Sequence, residues 1–366
     1  MGIIEVGAIQ ATTMKIPRLD FELSAGCDHR CAHCYNVWNA EDGDPQAGYS
    51  PGRPLSTDAL LVLMTKAVKQ SGCTHLTLTG GEPLLHRDAM AVIEHATQLV
   101  PSVNLITNGS HVDAERAEAL ARFGLKSAQL TLLSPEREQH DELKGAVCFD
   151  DTVRAAFHLQ RAGVAVQICF VAMAANADRF QEVLELCAVL GLKNVSYNRM
   201  SPTGGAVHHI ERLMPTIEQV EANLRVANDL APQLGISVGT AMPIPPCLVR
   251  MEDYPNVRFG FCSTGTQAPN IVVDPVGNVR SCNLASGLLG NLVEQDWADI
   301  MANPYPRDFR KQVPEMCRGC AYERSCNGGC KESSFATFGD HTHPDPFVWL
   351  ALDPAARGQL PRTQEA

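Results

Sequence analysis

LDFELSAGCDHRCAHCYNVW (19–38) begins as a short apolar run and turns at once into a loop that carries Cys27, Cys31 and Cys34. The run LDFELS (19–24) reads as a strand, and the cysteines leave its C-terminal end with the spacing Cys-x3-Cys-x2-Cys. Three thiolates on one loop can wrap one metal centre. A closed 4Fe–4S cluster takes four cysteines, so three leave one iron open to an exogenous molecule, as a catalytic cluster needs. A zinc closed by His29 or His33 is the competing reading of the same spacing.

The strand is the first of a series. HLTLTG (75–80), VNLITNG (103–109), AQLTLL (128–133), VAVQICFVAM (164–173) and NVSYNRM (194–200) are further strand candidates. Amphipathic stretches near 57–71, 87–99, 113–123, 150–162 and 177–190 alternate with them. Ser56 to Asp58 and Asp150-Asp151 supply helix N-caps, and Gly72, Gly124, Gly163 and Gly191 supply stops. Strict alternation predicts an α/β fold of parallel βα units, with runs apolar on both faces as buried parallel strands are. Six units fall short of a closed eight-fold barrel, so a partial (β/α)6 TIM-like barrel is expected. Chemistry in such folds gathers at the C-terminal ends of the strands. Cys27, Gly80, Asn108, Ser134 and Arg199 all fall at or just beyond those ends.

The chain of 366 residues is long enough for two domains. From about 246 the helices shorten and cysteines cluster, which predicts a small metal-stapled second domain. The expected boundaries are an N-terminal extension at 1–16, the barrel at 17–210, a connector helix region at 211–245, the Cys-rich domain at 246–350 and a tail at 351–366. Fourteen cysteines suggest metal ligands rather than disulfides in a reducing, cytoplasmic setting. Cys73, Cys148, Cys169 and Cys187 are scattered and read as small buried residues. A net charge of −11 argues against nucleic-acid binding by bulk charge. No apolar run is long enough for a membrane span, and no signal peptide opens the chain.

Cys27, Cys31 and Cys34 followed by Tyr35 resemble the signature of the radical S-adenosylmethionine (radical SAM) superfamily. TGGEPLL (79–85) resembles its Gly-Gly-Glu-Pro motif. The resemblance implies that Gly80, Gly81, Glu82 and Pro83 hold the amino group of the methionine moiety through Glu82 or backbone carbonyls. It places Asn108 and Thr131 against the ligand and Arg199 near the adenine edge. Leu133 stands where the family commonly has Asp. The implied chemistry is reductive cleavage of S-adenosylmethionine to a 5′-deoxyadenosyl radical that abstracts hydrogen from a substrate, with electrons from a donor such as flavodoxin or ferredoxin.

In the C-terminal region, Cys262-x14-Gly277-x4-Cys282 and Cys317-x2-Cys320-x5-Cys326-x3-Cys330 suit zinc or iron–sulfur equally on spacing alone. They resemble the SPASM extension of radical enzymes that act on peptides, which implies two auxiliary 4Fe–4S clusters. By that resemblance Cys247, Cys262, Cys282 and Cys330 hold the first and Cys317, Cys320 and Cys326 the second. Val348 stands where a further cysteine is expected, leaving Asp340, His341, His343 and Asp345 as candidate ligands. Asn283 replaces the Asp that serves as base in sulfatase-maturing relatives, which discounts that activity. The leading reading is a maturase that cross-links or oxidises a precursor peptide, aided by a separate leader-recognition protein. A radical epimerase or dehydrogenase of a carbohydrate or other small molecule is the second, and a non-catalytic iron–sulfur or zinc scaffold the third.

Overall fold

The computed structural model describes residues 16–39, 46, 49 and 52–353. The extension expected at 1–16 and the tail expected at 351–366 therefore lie almost wholly outside the described residues. Six long strands carry the framework: β1 (Arg18–Glu22), β2 (His75–Thr79), β3 (Ser102–Thr107), β4 (Ser127–Thr131), β5 (Ala165–Ala172) and β6 (Asn194–Arg199). Each pairs in parallel with the next. Helices α1 (Thr57–Ser71), α2 (Ala89–Leu99), α3 (Ala114–Phe123), α4 (Arg137–Lys144), α5 (Phe149–Arg161) and α6 (Phe180–Val189) lie between them. Ser56 caps α1 through its side chain, and Gly72 ends it at φ 67°, a left-handed conformation that glycine adopts without a Cβ clash.

The sheet is longer than six strands. β7 (Ser237–Gly239) and β8 (Val257–Arg258) extend it in parallel beyond β6. On the other side β9 (Ile271–Val273) pairs in parallel with β1, and β10 (Asn278–Arg280) and β11 (Leu288–Asn291) follow antiparallel. The order is β11-β10-β9-β1-β2-β3-β4-β5-β6-β7-β8, an open sheet. These extra strands have two to four residues, too few to show a period in sequence. Helix α4, REQHDELK, is also absent from the sequence reading, because its charges hide the face that buries His140, Leu143 and Lys144.

The core lies between sheet and helices. α1 contributes Leu60, Leu63, Met64, Ala67 and Val68 to it. Each large apolar side chain buried in this way contributes about 1.5–3 kcal/mol. The C-terminal hairpin is locked to the barrel by a second device: Arg280 of β10 pairs with Glu22 of β1, both side chains almost wholly buried. Among the described residues no helix is long and apolar enough to cross a membrane.

Candidate active site at the open end of the barrel

The loop that carries Cys27, Cys31 and Cys34 is held from three directions by backbone. From β2, the Gly81 amide donates to Ser24 O at 2.7 Å and the Glu82 amide to Gly26 O at 2.9 Å. From the end of α4, Lys144 O accepts from the Arg30 amide at 3.1 Å and Leu143 O from the Ala32 amide at 3.2 Å. From beyond β6, the Ala206 amide donates to Cys34 O at 3.0 Å. Such a loop presents its thiols without relying on side-chain packing. The Asn39 amide group lies 3.1 Å from Cys34 Sγ, and the His29 amide 3.5 Å from Cys27 Sγ.

The two glycines after β2 are required by this contact. A Cβ on Gly80 would stand 2.4 Å from Ser24 O, and one on Gly81 would stand 2.3 Å from Gly26 O. Gly80 also has φ 140°. The pair therefore lets one backbone lie directly on the other. Glu82 takes a different role from the one its motif suggested. Its carboxylate accepts from Thr107 Oγ1 at 2.7 Å, the Asn108 amide at 2.7 Å and the Leu84 amide at 3.0 Å. Those bonds turn the Glu82 carboxylate towards the end of β3, so that with the buried Pro83 it braces the turn. Asn108 in turn donates to Asp28 at 2.7 Å, tying the end of β3 to the cysteine loop.

One cavity of 1520 Å³ covers this end of the barrel. Cys27, Cys31, Cys34, Tyr35, Gly80 and Gly81 line it, as do Asn108 and Thr131. Its far wall is built by Cys262, Cys282 and Cys330. The cavity thus joins the first cysteine loop to three of the seven C-terminal cysteines.

Arg199 is turned away from the expected adenine edge. Its guanidinium is fully buried, pairs with Asp345, and donates to Pro243 O at 3.0 Å. The Phe347 ring packs over it at 5.0 Å. The side chain ties β6 to the C-terminal helix Pro346–Leu352, while Arg199 still contributes to the cavity lining. Asp345 also accepts from the Cys330 amide at 2.7 Å and the Phe347 amide at 2.9 Å, so it is not free to ligate iron either. Val348 is buried in that helix.

Two cavity residues escaped the sequence reading. Lys144 is buried at the end of α4, lines the cavity, and exerts its charge on Cys31. Asp20 on β1 lines the cavity too, and accepts from Asn270 at 2.8 Å and from Asn283 at 2.9 Å. Neither belongs to a recognisable motif; only the fold brings them to the cysteines.

Zinc fits the first loop poorly. A tetrahedral zinc with bonds of about 2.3 Å would draw its sulfurs to about 3.8 Å from one another. Among the described residues the one trio of His, Cys or acidic ligand atoms within 4.8 Å is His140, Asp141 and Cys148, beneath α4. The wider spread of Cys27, Cys31 and Cys34 suits a polynuclear centre.

His140 supplies a pH test of this support. It is fully buried, its Nδ1 accepts from the Leu133 amide at 3.2 Å, and its Nε2 has no partner. Burial, with the nearby Lys144 charge, pushes its pKa down to about 3; Asp141 opposes and His29 assists. The folded chain therefore refuses a proton that the unfolded chain accepts below about 6.5. Stability should fall as pH drops from 6.5 towards 4, with His140 contributing about 1.4 kcal/mol per pH unit. Urea unfolding across that range should show a shallower slope for His140→Gln; identical slopes would refute the assignment.

Comparison with known proteins agrees with this geometry. Residues 21–187 match the radical SAM superfamily model, and residues 262–321 match SPASM, an iron–sulfur cluster-binding domain. A PqqA peptide cyclase of Methylocella silvestris is 28% identical over 340 residues, covering 91% of this chain and 87% of the relative. One from Rhizobium meliloti is 28% identical over 336 residues, covering 89% and 84%. Among solved structures, Streptococcus suis SuiB bound to S-adenosylmethionine superposes with a TM-score of 0.70 at 18% identity, covering 91% of this chain and 77% of that one. The anSMEcpe enzyme with bound AdoMet gives 0.67 at 17% identity, covering 93% and 97%. With its open barrel of parallel strands and its trailing Cys-rich hairpin, the chain carries a radical SAM domain at residues 21–187 and a SPASM iron–sulfur cluster-binding domain at 262–321.

Proposed function

We propose that this enzyme modifies a residue of a precursor peptide by hydrogen abstraction. The observation that carries the reading is the single cavity that runs from Cys27, Cys31 and Cys34 to Cys262, Cys282 and Cys330. At 1520 Å³ it exceeds the roughly 300–1,000 Å³ of a typical small-ligand site, leaving room for a second, larger substrate beside S-adenosylmethionine. The curated relatives named PqqA peptide cyclase support a peptide, as does the SuiB structure bound to its precursor peptide SuiA.

Cys27, Cys31 and Cys34 hold the catalytic cluster in this reading, and their number leaves one iron for the amino acid end of S-adenosylmethionine. When bound, the cluster supplies the electron that breaks a carbon–sulfur bond of that molecule and so starts radical chemistry. The Gly80–Gly81 backbone presents carbonyls to the ammonium, and the buried Lys144 charge suits the carboxylate. Thr131 and Asn108 form the wall nearest the nucleoside. Asp20, oriented by two amide donors, lines the cavity as the acceptor for a proton from the oxidised substrate. An external electron donor, flavodoxin or ferredoxin in kind, and a separate leader-recognition protein complete the proposed partners.

The test incubates anaerobically reconstituted enzyme, dithionite and S-adenosylmethionine with short peptides encoded beside its gene. The expected result is 5′-deoxyadenosine together with a peptide lighter by the mass of two hydrogens. Cleavage of S-adenosylmethionine stimulated by a sugar or other small molecule, and by none of the peptides, would overturn the peptide reading in favour of an epimerase or dehydrogenase.

A further inference from the structure

The C-terminal cysteines sort in space differently from the order their resemblance implied. Cys262, Cys282 and Cys330 line the main cavity together with Glu332. Thr264 Oγ1 donates to Ser281 O at 3.3 Å, which holds the turn after Cys262 against the residue preceding Cys282. The charged groups nearest Cys282 are Glu332, Cys262 and Cys330.

Cys247 faces another group. It sits in a tight turn after Pro245, whose carbonyl accepts from the Leu248 amide at 3.0 Å. The next turn, Met251–Asp253, is pinned to the loop of the other cysteines, because Tyr322 Oη donates to Glu252 Oε1 at 3.3 Å. Within that loop the Cys320 amide donates to Cys317 O at 3.2 Å, and the Cys326 amide to Tyr322 O at 2.8 Å. The Tyr322 amide points at Cys320 Sγ from 3.4 Å, as amides commonly do towards ligating thiolates. The electrostatic neighbours agree with this placement. Cys317 feels Cys247 and Cys320, Cys247 feels Cys320, and Cys326 feels Cys247. Cys247 and Cys320 are exposed, whereas Cys330 is buried.

We infer that Cys247 completes an outer auxiliary site with Cys317, Cys320 and Cys326, leaving Cys262, Cys282 and Cys330 as an inner three-thiolate site that faces the substrate cavity beside Glu332. The vacancy at Val348 is then filled from a different part of the chain. A residue at the N-terminal edge of the domain replaces the missing one near its C-terminal edge, because the turn after Pro245 approaches the Cys317–Cys326 loop while Asp345, at the head of the Pro346–Leu352 helix, donates its amide to Gly328 O just after that loop. The incomplete ligand set belongs to the inner site, next to the cavity, where Tyr305 Oη holds Glu332 Oε1 at 3.0 Å. The outer site lies at the surface, where a protein electron carrier can reach it.

The inference rests on the iron–sulfur reading of this domain and is independent of the substrate. Its test uses the full chain with Cys27, Cys31 and Cys34 replaced by Ala, so that only auxiliary iron remains. Cys247→Ala and Cys320→Ala should remove or alter the same electron paramagnetic resonance signal, and the double variant should add nothing further. Cys282→Ala should alter the other signal. If Cys247→Ala matches Cys282→Ala, or changes neither signal, the inference fails. Thiol-to-thiol cross-linking of the iron-free wild-type chain guards against misfolded variants. Peptide mapping should join Cys247 to Cys317 or Cys320, and a bridge from Cys247 to Cys262 or Cys282 overturns the assignment. Absence of auxiliary iron and sulfide from the wild type would refute the iron–sulfur reading, while the cross-link map would still decide the partners of Cys247.

Discussion

Cys31→Ala should abolish 5′-deoxyadenosine formation, lowering it by at least about a thousandfold, and should remove about four irons per chain. The size of the effect follows from the ligand count. Three thiolates on one loop hold the proposed cluster at its only protein-bound corners, and two cannot replace them. Cys31 is the sharpest choice because its neighbours are fixed by backbone. The Arg30 and Ala32 amides are bonded to Lys144 O and Leu143 O on either side of it. Losing a sulfur there leaves the loop in place, so the fold should survive. Circular dichroism and a urea midpoint close to wild type would show this, while iron analysis and product chromatography report the loss. Persistent cleavage of S-adenosylmethionine by an iron-depleted Cys31→Ala protein would remove the catalytic cluster from this loop.

Much of this site is legible in the sequence, for a physical reason. Each strand buries one face under the helices, so the alternate apolar residues Leu76 and Leu78 in β2 and Val166, Ile168 and Phe170 in β5 announce the sheet, whereas the expectation of two apolar faces fails because Thr77 and Gln167 on the other face line the cavity. Cysteines on one loop and paired glycines are legible as well, since their chemistry depends on local spacing. What the sequence hides is whatever depends on approach from a distance. Glu82 sits in a motif that suggested a ligand contact, yet the end of β3 claims its carboxylate. Arg199 ends a strand pointing at the site, yet Asp345, 146 residues later, takes its guanidinium inward. Lys144 closes a helix whose charges suggest solvent, and it is buried at the cavity. Cys247 stands close in sequence to Cys262 but shares its surroundings with Cys317 and Cys320. The same limit applies to the short strands β7 to β11, which are ordered by the sheet edges they join more than by their own residues.

Arg280→Met should be the most destabilising single change outside the cysteines, at about 3–5 kcal/mol, because it removes one member of a buried ion pair and strands the other. Arg280 donates to Ala285 O at 2.8 Å and Asn283 O at 3.2 Å, packs over the Tyr49 ring at 4.8 Å, and pairs with Glu22. Burial pushes the Glu22 carboxyl up to about 7, and Arg280 is what holds it from rising further. Without the guanidinium, Glu22 must fold protonated. Its folded pKa then stands further above its unfolded value, so the folded chain binds a proton that the unfolded chain releases. The penalty relative to wild type is flat up to about pH 7, where Glu22 is protonated in both folded chains, and grows above that by up to about 1.4 kcal/mol per unit until the carboxyl ionises. Urea unfolding at pH 5 and pH 8 should therefore separate wild type from Arg280→Met more widely at pH 8. Adding Glu22→Gln should recover part of the loss and flatten the pH dependence, since a neutral amide replaces the stranded charge. A loss below about 1 kcal/mol, or one independent of pH, would show that the hairpin β9–β10 is held to β1 by its backbone ladder and packing alone. The measurement bears on function because the same hairpin carries Cys282 and Asn283. Arg280 fixes the carbonyl of Asn283, whose side chain holds Asp20. Loosening this pair should therefore displace the far wall of the cavity before it unfolds the barrel.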